Sequence, residues 1–222
     1  MINGILLLNK EKGMTSFDAV KKVKRLLNVQ KVGHLGTLDP IGEGLLPIAI
    51  GTACKLFNEY LKKDKVYETI FEFGVTTDTL DNTGTITKAD LSTQTREKIE
   101  KIIPKLIGKQ NQVPPLYSAK HVNGQRAYDL ARAGVEFELT PKEIEIYDIK
   151  LLNEESKNIF SFEVSCSSGT YIRSLARDMA TLLGTYGRMN AITRTKTGVF
   201  LLKNAYTLKD IESGNYKVLD NL

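Results

Sequence analysis

From Val66 to Val75 the chain adopts a period of two. Tyr67, Thr69, Phe71 and Phe73 share one face, with Glu68 and Glu72 on the other, the signature of a strand with one wet side. The segments around it fix the fold class. Ile5 to Leu8 is a short apolar run that reads as a buried strand. Thr15-Ser16-Phe17-Asp18 has the form of a capping box, and Phe17, Val20, Val23 and Leu27 follow at helical spacing, so a helix runs to about Asn28. Residues 45–50 are apolar but interrupted by Pro47, and 52–61 suit a short helix. Residues 76–84 are a polar turn, 94–107 a helix ahead of Pro114-Pro115, and 126–133 a short helix stopped by Gly134. Strands are expected at 143–152 and 159–166, a helix at 170–183 and a last strand near 198–203. Adjacent strands mixed with helices favour an α+β fold with a mixed or antiparallel sheet over a doubly wound one.

At 222 residues and 41% hydrophobic, the chain suits one generous domain or two small lobes sharing a core. Cys54 and Cys166 lie far apart with no C-x-x-C spacing, so neither a disulfide framework nor a zinc site is indicated. The first apolar run is too short for a signal or spanning segment, which leads to an expectation of a soluble cytoplasmic protein. The net charge of +5 is unevenly placed. Residues 1–65 carry eleven Lys/Arg against six Asp/Glu, and residues 169–203 carry six against one. Two basic segments far apart in sequence suit a positive surface for a polyanion. Taken alone, Lys21, Lys22, Lys24 and Arg25 read better as a solvated helix face.

Several chemistries lack their signatures. There is no G-x-x-x-x-G-K-[ST] phosphate loop. The turn with Asp78, Asp81, Asn82 and Gly84 lacks the alternating ligands and closing Glu of a calcium loop. Asp39 and Glu43 are four apart, but Pro40, Gly42 and Gly44 argue against a helix that would put both carboxylates on one face. Asp39 stands out by itself in KVGHLGTLDP. Pro40 biases it away from helical backbone, and Gly33 and Gly36 permit close approach, so its carboxylate is presented at a stiff bend. A turn-forming aspartate has the same local sequence.

Six separated segments decide between these readings. GILLLNKEKGMTS, KVGHLGTLDPIGEGLLPIAIG, KVYE, TTDTLDNTG, VPPLYSAKHVNGQRAYDLARAG and SSGTYIRSLARDMA resemble, in order and across most of residues 4–200, the motifs of bacterial tRNA pseudouridine synthases of the TruB type. The resemblance implies a pseudouridine synthase fold: a mixed, mostly antiparallel sheet flanked by helices, with a central RNA-binding cleft. Residues 1–205 would be the catalytic domain and 206–222 a C-terminal tail, with the family's usual PUA-type RNA-binding module absent or truncated. The implied reaction isomerises the T-loop uridine, position 55 of tRNA, with no cofactor and no metal.

The same resemblance assigns residues. Asp39 is the catalytic carboxylate, acting at uracil C6, at the sugar C1′ or along a glycal route. Arg173 pairs with it, and Tyr67 stacks on the flipped base; as a bare sequence position, Tyr67 also suits a core aromatic. His34 helps hold the disrupted RNA loop. Lys10 falls at the family's motif lysine, although Glu11 replaces the usual proline. Lys120, Arg126 and Arg132 lie in a segment that grips RNA, and Arg188, in an atypical Gly187-Arg188-Met189, is expected to add phosphate affinity in a loop. Gly36, Thr37, Lys31, Arg177 and Arg194 complete the expected RNA contacts. The partner is the tRNA T-arm, with no membrane and no obligate protein or guide RNA. The alternatives are a tRNA-folding factor with secondary or lost catalysis and a guide-dependent synthase.

Overall fold

The computed structural model describes residues 2–118, 120–122 and 124–220. They form two compact units, one up to Glu68 and again from Ile192, the other from Thr69 to Ala191.

The first unit opens with strand β1 (Gly4–Lys10) and helix α1 (Ser16–Leu26). The expected capping box is present: Thr15 accepts from the Asp18 amide while the Asp18 side chain returns to Thr15. Strands β2 (Val32–His34) and β3 (Glu43–Ile50) follow, then a 3-10 turn over Gly51–Leu56, helix α2 (Phe57–Leu61) and the start of β4 (Lys65–Phe73).

In the second unit, β5 (Val75–Thr77) and β6 (Ile86–Ala89) form a small hairpin. Helix α3 (Arg96–Ile102) is shorter than the expected 94–107, because Pro104 turns the chain into a 3-10 segment. Strand β7 (Gly108–Gln112), the two-residue strands β8 (His121–Val122) and β9 (Gln125–Arg126), and helix α4 (Ala127–Arg132) come next. Strands β10 (Lys142–Ser156) and β11 (Ile159–Cys166) form a long antiparallel hairpin, with β7 on the other edge of β10. Helix α5 (Ile172–Leu182) completes the unit, in which Phe71 meets Phe162 and Phe73 meets Phe160 at ring separations of 5.1 and 6.1 Å.

Strand β12 (Gly187–Thr197) brings the chain back to the first unit, followed by β13 (Phe200–Leu201), helix α6 (Leu208–Glu212) and β14 (Val218–Leu219). The sequence pattern gave no sign of β12. Its buried positions include Arg194 and Thr197 as well as Met189 and Ile192, so hydrophobic alternation is lost. The region expected to be a tail is folded where it is described: β14 pairs with β1 at Ile5 and Leu6. Residues 221 and 222 of that tail lie outside the described residues.

The first unit's sheet positions the site. β1 pairs along its whole length with β3, from Gly4 opposite Ile50 to Lys10 opposite Gly44. The other edge of β3 is shared: Glu43 and Gly44 pair in parallel with Thr193 and Arg194 of β12, while Ile48 to Ile50 pair antiparallel with β2. Pro47, which cannot donate to a ladder, sits where β3 changes partner, and its carbonyl accepts from Leu35 at 2.8 Å. Residues 35–42 connect β2 to β3 at this junction. Ile5, Leu7, Leu35, Leu45 and Ala49 form the core beneath it, with Tyr60 stacked on Phe200 at 5.2 Å.

Candidate active site

The 35–42 connection is pinned at several backbone points. Ser16 Oγ, at the start of α1, accepts from the Leu38 amide and donates to the Leu38 carbonyl, each at 2.9 Å. Gly42 N–H donates to the Asp39 carbonyl at 2.9 Å, and Gly13 N–H to the Pro40 carbonyl at 2.8 Å. Gly36 bends the chain with a φ of +130°, a conformation side chains rarely adopt. Asp39 itself is half-buried. Ser16→Ala is expected to cost about 1–3 kcal/mol, because two buried backbone groups lose their partner. Urea denaturation with an unchanged m-value checks this, and wild-type stability would contradict it.

Two cations expected at an RNA surface lie elsewhere. Arg194 is 1% exposed and Lys10 is fully buried. Arg194 donates from Nε to the Leu45 carbonyl (2.8 Å), from Nη1 to Thr37 (3.1 Å) and from Nη2 to Gly36 (3.3 Å). Lys10 Nζ donates to the carbonyls of Met14 (2.8 Å) and Glu11 (3.0 Å). Buried cations need such acceptors, and the carbonyls beside a sharp bend supply them. The strand backbones are close here, since a Cβ on Gly44 would lie 2.6 Å from the Arg194 carbonyl.

Burial lowers the Lys10 pKa to about 8, with the Asp39 charge opposing that shift, Arg194 adding to it and Glu43 opposing it. The unfolded chain therefore holds this proton more tightly between about pH 8 and the ordinary value of 10.5. Stability is expected to rise with pH across that window relative to Lys10→Met. Denaturant titrations through the window check it, and a constant difference between the two proteins would contradict it.

The second unit holds Arg173 near the start of α5. Its Nη1 donates to the Thr79 carbonyl at 3.0 Å and its Nη2 to the Tyr117 carbonyl at 3.1 Å. Asp81 Oδ2 lies 3.7 Å from Nη1, and both side chains are 7% exposed. Asp81 is itself oriented: its Oδ1 accepts from Thr79 Oγ1 at 2.8 Å, Thr83 N–H at 3.0 Å and Thr83 Oγ1 at 2.5 Å. From sequence, Asp81 is only one residue of a polar turn that lacks a calcium loop's ligands. Its donors Thr79 and Thr83 lie in the same TTDTLDNTG segment.

Tyr67 is 7% exposed, on the buried face of β4 with Lys65, Thr69, Phe71 and Phe73. His34 ends β2, with Nδ1 buried and no hydrogen-bond partner for that atom among the described residues. Burial, and then the Arg194 charge, lower its pKa, keeping the imidazole neutral at pH 7. Arg188 lies in a strand, not a loop, and its Nε and Nη2 donate to Glu72 Oε2 at 2.9 and 2.8 Å. Arg177 pairs with Asp178 at 2.7 Å and donates to the Val113 carbonyl. The arginines of the second basic segment are thus largely engaged inside the fold, which corrects the reading of that segment as open positive surface. Lys31 and Thr37 are exposed in the first unit. In the second, Arg126 and Arg132 are exposed and Lys120 is half-buried, and Arg126 lines a shallow groove of about 490 Å³ beside α4. No helix among the described residues is long and apolar enough to cross a membrane.

Comparison with known proteins gives a consistent result. The TruB family pseudouridylate synthase (N terminal domain) pattern matches residues 24–172. The tRNA pseudouridine synthase B of Caulobacter vibrioides is 41% identical over 216 residues, covering 97% of this chain and 70% of the relative. That of Oceanobacillus iheyensis is 44% identical over 214 residues, covering 95% and 71%. Among solved structures, a Cbf5-Nop10-Gar1 complex matches with a TM-score of 0.75 at 27% identity, over 95% of this chain and 54% of the matched one. An archaeal box H/ACA sRNP Nop10-Cbf5 complex matches with a TM-score of 0.71 at 25% identity, over 95% and 53%. The chain spans about half the length of those two solved chains.

Proposed function

The chain belongs to the TruB family of pseudouridylate synthases, and from that premise we propose that it isomerises the T-loop uridine at position 55 of tRNA, in the cytoplasm. The supporting observation is the Asp39 loop. Half-buried Asp39 stands on backbone fixed at Gly36, Thr37, Leu38, Asp39 and Pro40.

The reaction is redox-neutral. The N1–C1′ bond breaks, the uracil turns, C5 bonds to C1′, the C5 proton leaves to solvent and N1 gains a proton. A carboxylate nucleophile at C6 or C1′ serves this chemistry, and fixed backbone lowers the entropic cost of aligning it with an extruded base. Tyr67 would stack on that base, Arg173 would steady the reacting centre and His34 would hold the opened loop. Arg126, Arg132 and Lys31 would contact phosphates, setting position rather than sequence.

The relatives named tRNA pseudouridine synthase B favour tRNA as substrate, and the protein is proposed to act without guide RNA or protein partner. Purified protein and a bare tRNA transcript carrying [5-³H]uridine test this. Tritium release in proportion to the T-loop uridine is expected. No release without added partners would overturn it.

A further inference from the structure

The Arg194 guanidinium bridges two parts of the chain that must stay in register for Asp39 to be useful. Along the shared edge of β3, the pairing with β12 ends at Gly44 and the pairing with β2 begins at Ile48. Between them, the Leu45 carbonyl accepts from Arg194 Nε. The same planar group reaches the Gly36 and Thr37 carbonyls, two to three residues before Asp39. One rigid fork thus ties the loop to the strand to which it returns. At 1% exposure, it presents no surface to a phosphate.

We propose that Arg194 is a positioning residue for Asp39, holding the 36–45 bend in its reactive geometry instead of contacting RNA. The proposal rests on the reading of Asp39 as the reacting carboxylate. Lysine carries the same charge but lacks the planar fork that meets three divergent carbonyls. Charge and geometry can therefore be separated by one substitution.

The experiment compares wild type, Arg194→Lys and Gly36→Ala in single-turnover tritium release, in tRNA binding over a salt series and in amide exchange. Arg194→Lys is expected to slow the single-turnover rate by about 10²-fold, the scale of a misplacement of about 1 Å. Affinity for tRNA and its salt slope should stay unchanged, whereas losing a phosphate contact would lower the slope by about one. Exchange should quicken at the Leu38 and Gly42 amides while the β1 amides stay protected. Gly36→Ala keeps Arg194 but displaces a carbonyl it binds, since a φ of +130° strains any side chain. It should show the same split and decides the matter if Arg194→Lys does not fold.

Near-wild-type turnover, a reduced salt slope, or exchange that rises as much in β1 as in the loop would overturn the proposal. If wild type releases no tritium, the reading of Asp39 fails. If wild type is active and both variants equally so, only the role of Arg194 fails.

Discussion

Asp39→Asn is expected to fold, to bind tRNA as wild type does, and to lose turnover by at least about 10⁴-fold, the scale seen when a covalent nucleophile is removed. Binding should survive because the loop is held by backbone bonds from Ser16, Gly42, Gly13 and Arg194, and asparagine preserves the shape of the side chain. Stability should respond in a specific way. The Asp39 charge supports the protonated form of buried Lys10, so its loss should push the Lys10 pKa further down, and the pH window over which stability rises should begin lower. Single-turnover assays, tRNA titrations and denaturation series check the three parts. A variant that turns over within tenfold of wild type would remove Asp39 from the chemistry.

The second large effect concerns Arg173. Its guanidinium is buried beside Asp81, whose carboxylate is fixed by Thr79 and Thr83. Removing one member of a buried pair leaves an uncompensated charge and typically costs 3–5 kcal/mol. Asp81→Ala is expected near the lower end, about 3 kcal/mol, because Arg173 keeps the Thr79 and Tyr117 carbonyls. Asp81→Asn should cost less, since an amide oxygen can still accept from the threonines. Urea denaturation of both variants, with Arg173→Met completing a double-mutant cycle, measures the coupling. Additive losses would show that the pair is not a unit.

The contrast between Asp39 and Arg194 shows what the sequence could reveal. The capping box of α1, the alternating strand β4, the β10–β11 hairpin and the stiff bend at Asp39 are local patterns, and each is found where the pattern puts it. Strand β12 is not local. Its buried arginine is stable only because carbonyls from residues 36, 37 and 45 converge on it, and no pattern within 187–197 records those distant acceptors. Charge counting misreads other cations as well. Arg188, Arg177 and Lys10 add to the basic total, yet Glu72, Asp178 and backbone oxygens engage them. Asp81 was hidden for a related reason: a turn aspartate and the buried partner of an arginine look alike until Arg173 folds beside it.

The proposed reaction isomerises one uridine of the tRNA T-loop through Asp39. Nucleoside-resolved mass spectrometry, with chemical derivatisation because the isomers share a mass, tests it after one turnover on an unmodified transcript. Pseudouridine at position 55 with wild type, and unaltered uridine there with Asp39→Asn, is the expected result. Uridine left intact by the wild-type protein, or pseudouridine formed equally by both, would contradict it.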